Sequence, residues 1–204
     1  MHGLYLITND DPLEILKQKL MLALQTIPIA LVQYRRKQVA AAERADEVAE
    51  LLILCQQYQV PLIINDDLAL AQQFGCGVHL GQGDGSIKSA REVLGEAAII
   101  GRTCHDSLVL AQQAVEEGAS YVAFGAVYLS GSKPLAKVVS LSVLQQARQQ
   151  LSLPICVIGG LTVENSAPLV ALNLDLYAVI GDVFNLPDNE IAARLHAWQA
   201  LMNA

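Results

Sequence analysis

The chain repeats one pattern eight times: a short apolar run ends in polar or glycine residues, and an amphipathic stretch follows. The apolar runs fall at 3–7, 29–34, 61–64, 77–80, 98–101, 121–127, 154–158 and 176–180. The stretches that read as helices fall at 12–25, 40–59, 68–74, 86–94, 107–117, 140–151, 163–172 and 189–202. Strong punctuation separates the units. Gly75, Gly95 and Gly118 stand where a helix should close on a glycine. Asp106, Ser140 and Thr162 are placed to cap the helices that follow. Pro61 and Pro154 open strands, where a missing backbone donor matters least. Strict alternation of strand and helix implies parallel pairing with right-handed crossovers. Eight such units predict an α/β fold, a single (β/α)8 TIM barrel over residues 1–204. An open doubly wound sheet would want a Gly-x-Gly-x-x-Gly turn after the first strand, and none is there.

Composition raises one competing explanation. Hydrophobic residues make up 53% of the chain and mean hydropathy is +0.37, high for a protein in water. Membrane spans or a sheet buried on both faces would each produce this. Gln33, Asp66, Lys88 and Glu116 interrupt the apolar segments before any reaches the roughly 18 residues of a span. The buried parallel sheet, whose strands read as continuous apolar runs, is therefore the expectation. Residues 1–11 have neither the basic start nor the apolar stretch of a secretion signal, which predicts a cytoplasmic protein without a membrane partner. The net charge of −7 argues against a nucleic-acid partner, which would want a basic stripe. It leaves room for small anions held by a few local cations. Cys55, Cys76, Cys104 and Cys156 are widely spaced, with no Cys-x-x-Cys pair, and read as reduced core thiols.

In such a barrel the reactive residues gather at the carboxyl ends of the strands. After the second strand stand Gln33-Tyr34-Arg35-Arg36-Lys37. Alternation puts Gln33, Arg35 and Lys37 on one face, opposite Val32, Tyr34 and Arg36. Facing inward, the first set places an amide and two cations in the mouth; facing outward, it is a solvated edge. Asn65-Asp66-Asp67 follows the third strand and Gly81-Gln82-Gly83-Asp84 the fourth. Neighbouring strands bring Asp66 and Asp84 within reach, a pair that suits Mg2+ shared with substrate phosphates, although either aspartate singly reads as a helix cap. The fifth strand ends in Gly101-Arg102-Thr103-Cys104-His105, where Thr103 and His105 share a parity. A lone histidine there is more often structural than catalytic. Ser130-Gly131-Ser132-Lys133-Pro134 reads either as a phosphate loop of hydroxyls, backbone donors and a lysine, or as a surface turn. Gly159-Gly160 and Ile180-Gly181-Asp182 end the last two strands, the usual phosphate site of this barrel. Two anion-binding regions and a carboxylate pair suit two phosphorylated substrates and Mg2+.

Taken together, these residues resemble the thiamine-phosphate synthase family, from Leu4-Tyr5-Leu6-Ile7-Thr8 to the last helix. The matching segments are Gln33-Tyr34-Arg35-Arg36-Lys37, Ile64-Asn65-Asp66, Gly77-Val78-His79-Leu80-Gly81-Gln82, Gly101-Arg102-Thr103-Cys104-His105, Ser132-Lys133-Pro134 and Ile158-Gly159-Gly160-Leu161-Thr162. The resemblance implies a transferase of thiamine biosynthesis. It would join 4-amino-2-methyl-5-hydroxymethylpyrimidine diphosphate to 4-methyl-5-(2-phosphoethyl)thiazole and release pyrophosphate. It also implies that Gln33, Arg35, Lys37, Asn65, Thr103 and Lys133 hold the pyrimidine diphosphate and that Asp66 and Asp84 hold Mg2+. Ser130 and Ser132, with backbone at Gly160, Ile180 and Gly181, would hold the thiazole phosphate. Arg35, Lys133 and Thr103 form the implied catalytic set. Pyrophosphate would leave a pyrimidine-stabilised cation that the thiazole nitrogen attacks, so no protein nucleophile is needed.

Three positions depart from that family's pattern: Arg36 replaces a common acidic residue, Leu129-Ser130-Gly131-Ser132 replaces Pro-Thr-x-Thr, and Gly181 replaces a serine. The sister group of thiazole tautomerases is expected to use a histidine at the position of His105, and tends to lose the Asn-Asp pair and the later aspartate. Here Asn65, Asp66, Asp84 and Lys133 all remain. A non-catalytic thiazole-phosphate-binding protein would keep the phosphate loops and be indifferent to metal. The last helix, with Trp198, reads either as a homodimer face or as a helix packed on the barrel.

Overall fold

The computed structural model describes residues 1–128 and 138–203. Eight parallel strands close into a barrel in sequence order, with β1 beside β8. They are β1 (Gly3–Ile7), β2 (Leu31–Tyr34), β3 (Leu62–Asn65), β4 (Gly77–Leu80), β5 (Ile100–His105), β6 (Tyr121–Gly125), β7 (Ile155–Ile158) and β8 (Leu176–Val179). The helices between and after them are α1 (Leu13–Thr26), α2 (Ala41–Gln57), α3 (Leu68–Phe74), α4 (Ile87–Leu94) and α5 (Leu108–Glu116). They continue with α6 (Leu141–Gln150), α7 (Ala167–Val170), α8 (Gly181–Phe184) and α9 (Asp188–Met202).

The strands are apolar on both faces because both are covered. Outward, Leu4, Leu6, Val32, Ile64, Val78, Phe124 and Val157 pack against helix residues such as Leu16, Leu20, Leu51 and Trp198. Inward, Tyr5, Ile7, Leu31, Ile63, Tyr121, Ala123, Cys156, Leu176 and Ala178 form a second, smaller cluster. Each large aliphatic or aromatic side chain buried this way stabilises the fold by about 1.5–3 kcal/mol. The inner cluster has a tight point at Gly101, where a Cβ would lie 2.1 Å from the Tyr121 ring.

Ser140 caps α6, accepting from Val143 N, and Gly75 and Gly95 close α3 and α4 at positive φ, as the sequence predicts. Two predicted caps are corrected. α5 begins at Leu108, one residue past the predicted start at 107, so Ser107 rather than Asp106 caps it, accepting from Leu110 N. Thr162 caps no helix, because its segment is a turn held by Asn165, whose side chain accepts from Thr162 N and donates to Gly160 O. The predicted helix over 163–172 accordingly shrinks to α7. The four-residue α8 was not predicted, being too short to show a period. All four cysteines are buried and free. Burial pushes the Cys76 thiol up to about 11 and those of Cys55 and Cys104 to about 12, so they stay protonated at neutral pH. Among the described residues no helix is long and apolar enough to cross a membrane. Trp198 is fully buried, with its ring 6.3 Å from that of Tyr177 and Nε1 donating to Asp182 Oδ2 at 2.7 Å. It therefore packs α9 onto the barrel, the second of the two readings of that helix.

Candidate active site

The alternation along β2 resolves with Gln33 inside the barrel and Arg36 outside it. Arg36 donates to Glu47 from Nε at 2.9 Å and from Nη2 at 2.8 Å. Its Nη1 donates to the carbonyls of Asn9 and Asp11. That strut ties the loop after β1 to α2, and Tyr34 joins it by donating to Glu47 at 2.8 Å. Arg35 and Lys37 are left for the mouth. With Arg44, Asn65, Asp66 and Asp67 they line a cleft of about 510 Å3. Neither cation forms an ion pair among the described residues.

Asp66 and Asp84 come together as their adjacent strands require. Asp67 takes the helix-cap role, accepting from Leu70 N at 2.9 Å, and Ser86 caps α4. The two other aspartates are thereby spared. Asp66 sits at φ 63, in the left-handed region, with Oδ1 3.4 Å from Gly81 N and Oδ2 accepting from Asn65 Nδ2 at 2.6 Å. Asp84 Oδ2 accepts from the same Gly81 amide at 3.1 Å. A Cβ on Gly81 would lie 2.6 Å from that oxygen, so a glycine is what lets the carboxylate settle on the backbone. Partial loss of water, then the neighbouring Asp66 carboxylate, raise the Asp84 pKa against the pull of the Gly81 amide and Lys37. Like charges this close are relieved by a cation between them. Among the described residues no third His, Cys, Asp or Glu completes a metal cluster. Two carboxylates fit a hard ion that draws its other oxygens from water and phosphate, as Mg2+ does.

Beneath this rim, five side chains form a continuous hydrogen-bonded chain through the barrel interior. Gln33 Nε2 donates to Tyr5 Oη at 2.6 Å, and the Tyr5 and Tyr121 hydroxyls are 2.9 Å apart. Tyr121 Oη lies 2.8 Å from His79 Nδ1, and His79 Nε2 lies 2.8 Å from Thr103 Oγ1. The Tyr5 and Tyr121 rings meet edge-on at 84°, and His79 stacks on Tyr121 at 5.6 Å. Burial, then the charge of Arg102, lower the His79 pKa to about 4 despite the opposing pull of Asp84, so its ring is neutral at pH 7. Tyr5, His79 and Tyr121 were not among the residues singled out from sequence. Period-two alternation was the available signal, since it puts each on the inward face with Gln33 and Thr103.

On the other side of the mouth, β7 and β8 run side by side and bring the loops bearing Gly160, Ile180 and Gly181 together. Gly160 is at φ 63 with its carbonyl accepting from Asn165. Asp182 anchors this side from below, through Trp198 and through Arg194 at 3.4 Å, which also reaches Glu164 at 2.7 Å. A Cβ on Gly181 would meet Asn185 Nδ2 at 2.6 Å, a flexible contact that a serine could displace. Ser130, Ser132 and Lys133 lie outside the described residues. The expected common orientation of Thr103 and His105 does not survive the fold. A register shift between them leaves Thr103 turned inward and His105 exposed at φ 52.

A closed parallel barrel with carboxylates and cations at the carboxyl ends of its strands belongs to the class of barrel enzymes that act at this face. A sequence profile described as thiamine monophosphate synthase matches residues 4–183, and the chain belongs to that family. Among solved structures, thiamine phosphate pyrophosphorylase from Pyrococcus furiosus is 25% identical, with a TM-score of 0.85 over 98% of this chain and 95% of that one. Thiamine phosphate pyrophosphorylase from Bacteroides thetaiotaomicron is 16% identical, with a TM-score of 0.69 over 98% of both chains. KGPDC from Streptococcus mutans is 11% identical, with a TM-score of 0.69 over 100% of this chain and 98% of that one. The last two likenesses are of fold. The chain is thus an enzyme of thiamine biosynthesis, a transferase whose family acts on phosphorylated small molecules.

Proposed function

We propose that this enzyme condenses 4-amino-2-methyl-5-hydroxymethylpyrimidine diphosphate with 4-methyl-5-(2-phosphoethyl)thiazole, in the presence of Mg2+, to give thiamine phosphate and pyrophosphate. The observation that favours it is the pair Asp66 and Asp84, converging on the Gly81 amide beside the cleft of Arg35 and Lys37. Gln33 and Thr103 hold the aminopyrimidine end, while Arg35, Lys37, Asn65 and Lys133 hold the diphosphate. Asp66 and Asp84 would hold Mg2+, which when bound neutralises charge on the departing pyrophosphate. Arg35 and Lys133 add fixed positive charge where the leaving group gains negative charge. Ser130, Ser132 and the backbone at Gly160, Ile180 and Gly181 hold the thiazole phosphate. The bond from the methylene carbon to the diphosphate oxygen breaks first, its electrons leaving with pyrophosphate. The aminopyrimidine ring stabilises the resulting cation, and the thiazole nitrogen then supplies the electron pair of the new bond. Holding both partners in one mouth replaces a protein nucleophile.

The test is pyrophosphate release from purified protein given both substrates and Mg2+, beside Asp84→Ala. Release that requires all three components, and falls by about 100-fold or more in the variant, supports the condensation. Without release, metal-independent isomerisation of a thiazole carboxylate phosphate that His105→Ala abolishes would replace this reading with a tautomerase. Binding of the thiazole phosphate with neither reaction would leave a carrier.

A further inference from the structure

The buried chain beneath the mouth has a direction, and counting protons reveals it. Gln33 Nε2 donates to Tyr5 Oη at 2.6 Å, so the Tyr5 proton goes on to the Tyr121 oxygen 2.9 Å away. Tyr121 accepts there and sends its own proton to His79 Nδ1 at 2.8 Å. A neutral imidazole that accepts at Nδ1 keeps its proton on Nε2, which then donates to Thr103 Oγ1 at 2.8 Å. Thr103 retains its own hydroxyl proton for an acceptor on the side of the mouth. At the other end the Gln33 amide is planar, so committing Nε2 to Tyr5 turns Oε1 away from Tyr5.

We propose that Tyr5, Tyr121 and His79 are positioning residues that set substrate specificity, holding Gln33 as an acceptor and Thr103 as a donor toward the bound pyrimidine. The inference rests on the condensation proposed above, and adds residues that touch neither substrate. A ring with an amino group offers Gln33 Oε1 the N–H it requires. A ring with a carbonyl at that position offers an acceptor to an acceptor. To receive it, Gln33 would turn its Nε2 outward and its Oε1 toward Tyr5. Tyr5 would then have to donate to Gln33, Tyr121 to Tyr5, His79 to Tyr121 from Nδ1, and Thr103 to His79. Reversing one link reverses all of them, so discrimination is collective. A fully buried group without a partner is costly, which is why a half-reversed chain is not a refuge. The rings have little room to adapt: Tyr121 lies over Gly101, where a Cβ would come within 2.1 Å, and Tyr5 and Tyr121 are at most 1% exposed.

Tyr5→Phe keeps the ring and removes the link. The enzyme and this variant are assayed with the aminopyrimidine diphosphate and with its 4-oxo analogue, each with thiazole phosphate and Mg2+. The intrinsic reactivities of the two rings cancel when the amino-to-oxo ratio of kcat/KM is compared between proteins. The expected result is a ratio about tenfold lower or more in Tyr5→Phe, because Gln33 then turns without dragging the chain. A structural role alone would lower both substrates together, and an unchanged ratio overturns the proposal. Tyr121→Phe cuts the next link and serves the same purpose should Tyr5→Phe fail to fold. Nitrogen-15 NMR of the histidine rings, with His79→Gln for assignment, reads the chain in the substrate-free protein. His79 protonated on Nε2 is expected; protonation on Nδ1 overturns the proposed direction. Absence of pyrophosphate release from the unmutated protein would instead sink the condensation, while the NMR result still decides the direction of the chain.

Discussion

The base and the mouth of the barrel use charge in opposite ways. At the base, Arg91 donates to the carbonyls of Gly95, Glu96, Ala98 and Gly118 at 2.7–2.9 Å and to Ser120 Oγ at 3.2 Å. Arg148 pairs with Asp175 at 2.7 Å, and the same carboxylate oxygen accepts from Ile155 N at 2.8 Å. Charges there finish the connections that lead into β5, β6, β7 and β8. At the mouth Arg36 and Asp182 also brace loops, but Asp66 and Asp84 crowd one amide, and Arg35 and Lys37 make no ion pair among the described residues. The base is arranged to hold itself together, and the mouth to hold something else. Fixed charges that lack partners reduce stability until a ligand binds to the folded form and returns it.

Four measurements can break this contrast. The largest effect is expected from Arg35→Ala. Loss of one preorganised cation should cut kcat/KM for pyrophosphate release by about 100-fold to 1,000-fold, with the melting temperature within about 2 °C of the parent. A large drop in melting temperature would mean that the mouth, too, supports the fold. His79 lies between the two ends. Its pKa of about 4 in the fold is below its ordinary 6.5, so it favours the folded state fully above pH 6.5. That contribution, roughly 3 kcal/mol, is lost as pH falls from 6.5 through 4. Urea midpoints across this range should therefore fall less steeply in His79→Gln than in the parent; parallel slopes would show that the interior tolerates an imidazolium.

Arg91→Ala addresses the base. It should lower unfolding free energy by about 2 kcal/mol, since several carbonyls lose a charged donor, while kcat stays within about twofold. A loss of kcat without a loss of stability would contradict the division of labour. The smallest effect is expected from Asp84→Asn with divalent ions removed. Removing one of two crowded charges should raise the melting temperature slightly, by less than about 1 kcal/mol in stability because Asp84 is largely exposed. Added Mg2+ should stabilise the parent and leave the variant unmoved. A variant less stable than the parent would mean that the pair is structural.

The reactive rim was legible for local reasons. Alternation along β2 separates Gln33 from Arg36, and adjacency of β3 and β4 brings Asp66 to Asp84. Which aspartate caps α3 was not legible. Asp66 and Asp67 have the same side chain, and the left-handed φ of Asp66 leaves the cap to Asp67. The parity that joined Thr103 to His105 failed because it assumes a regular strand, and β5 shifts register between them.

The amino-acid order by itself determined the eight parallel strands, most of the helices between them and the two faces of the regular strands, because apolar period and turn residues act within a few positions. It also determined which residues stand at the strand ends. Tertiary structure decided what closing the barrel brings face to face. Tyr5 and Tyr121 are 116 positions apart and meet because the strands curl until opposite walls touch. Trp198 faces inward because α9 lies against the barrel beside Tyr177. No local pattern encodes a hydrogen bond between opposite walls: its length depends on the barrel's closure, and its direction on every donor already spent along the way.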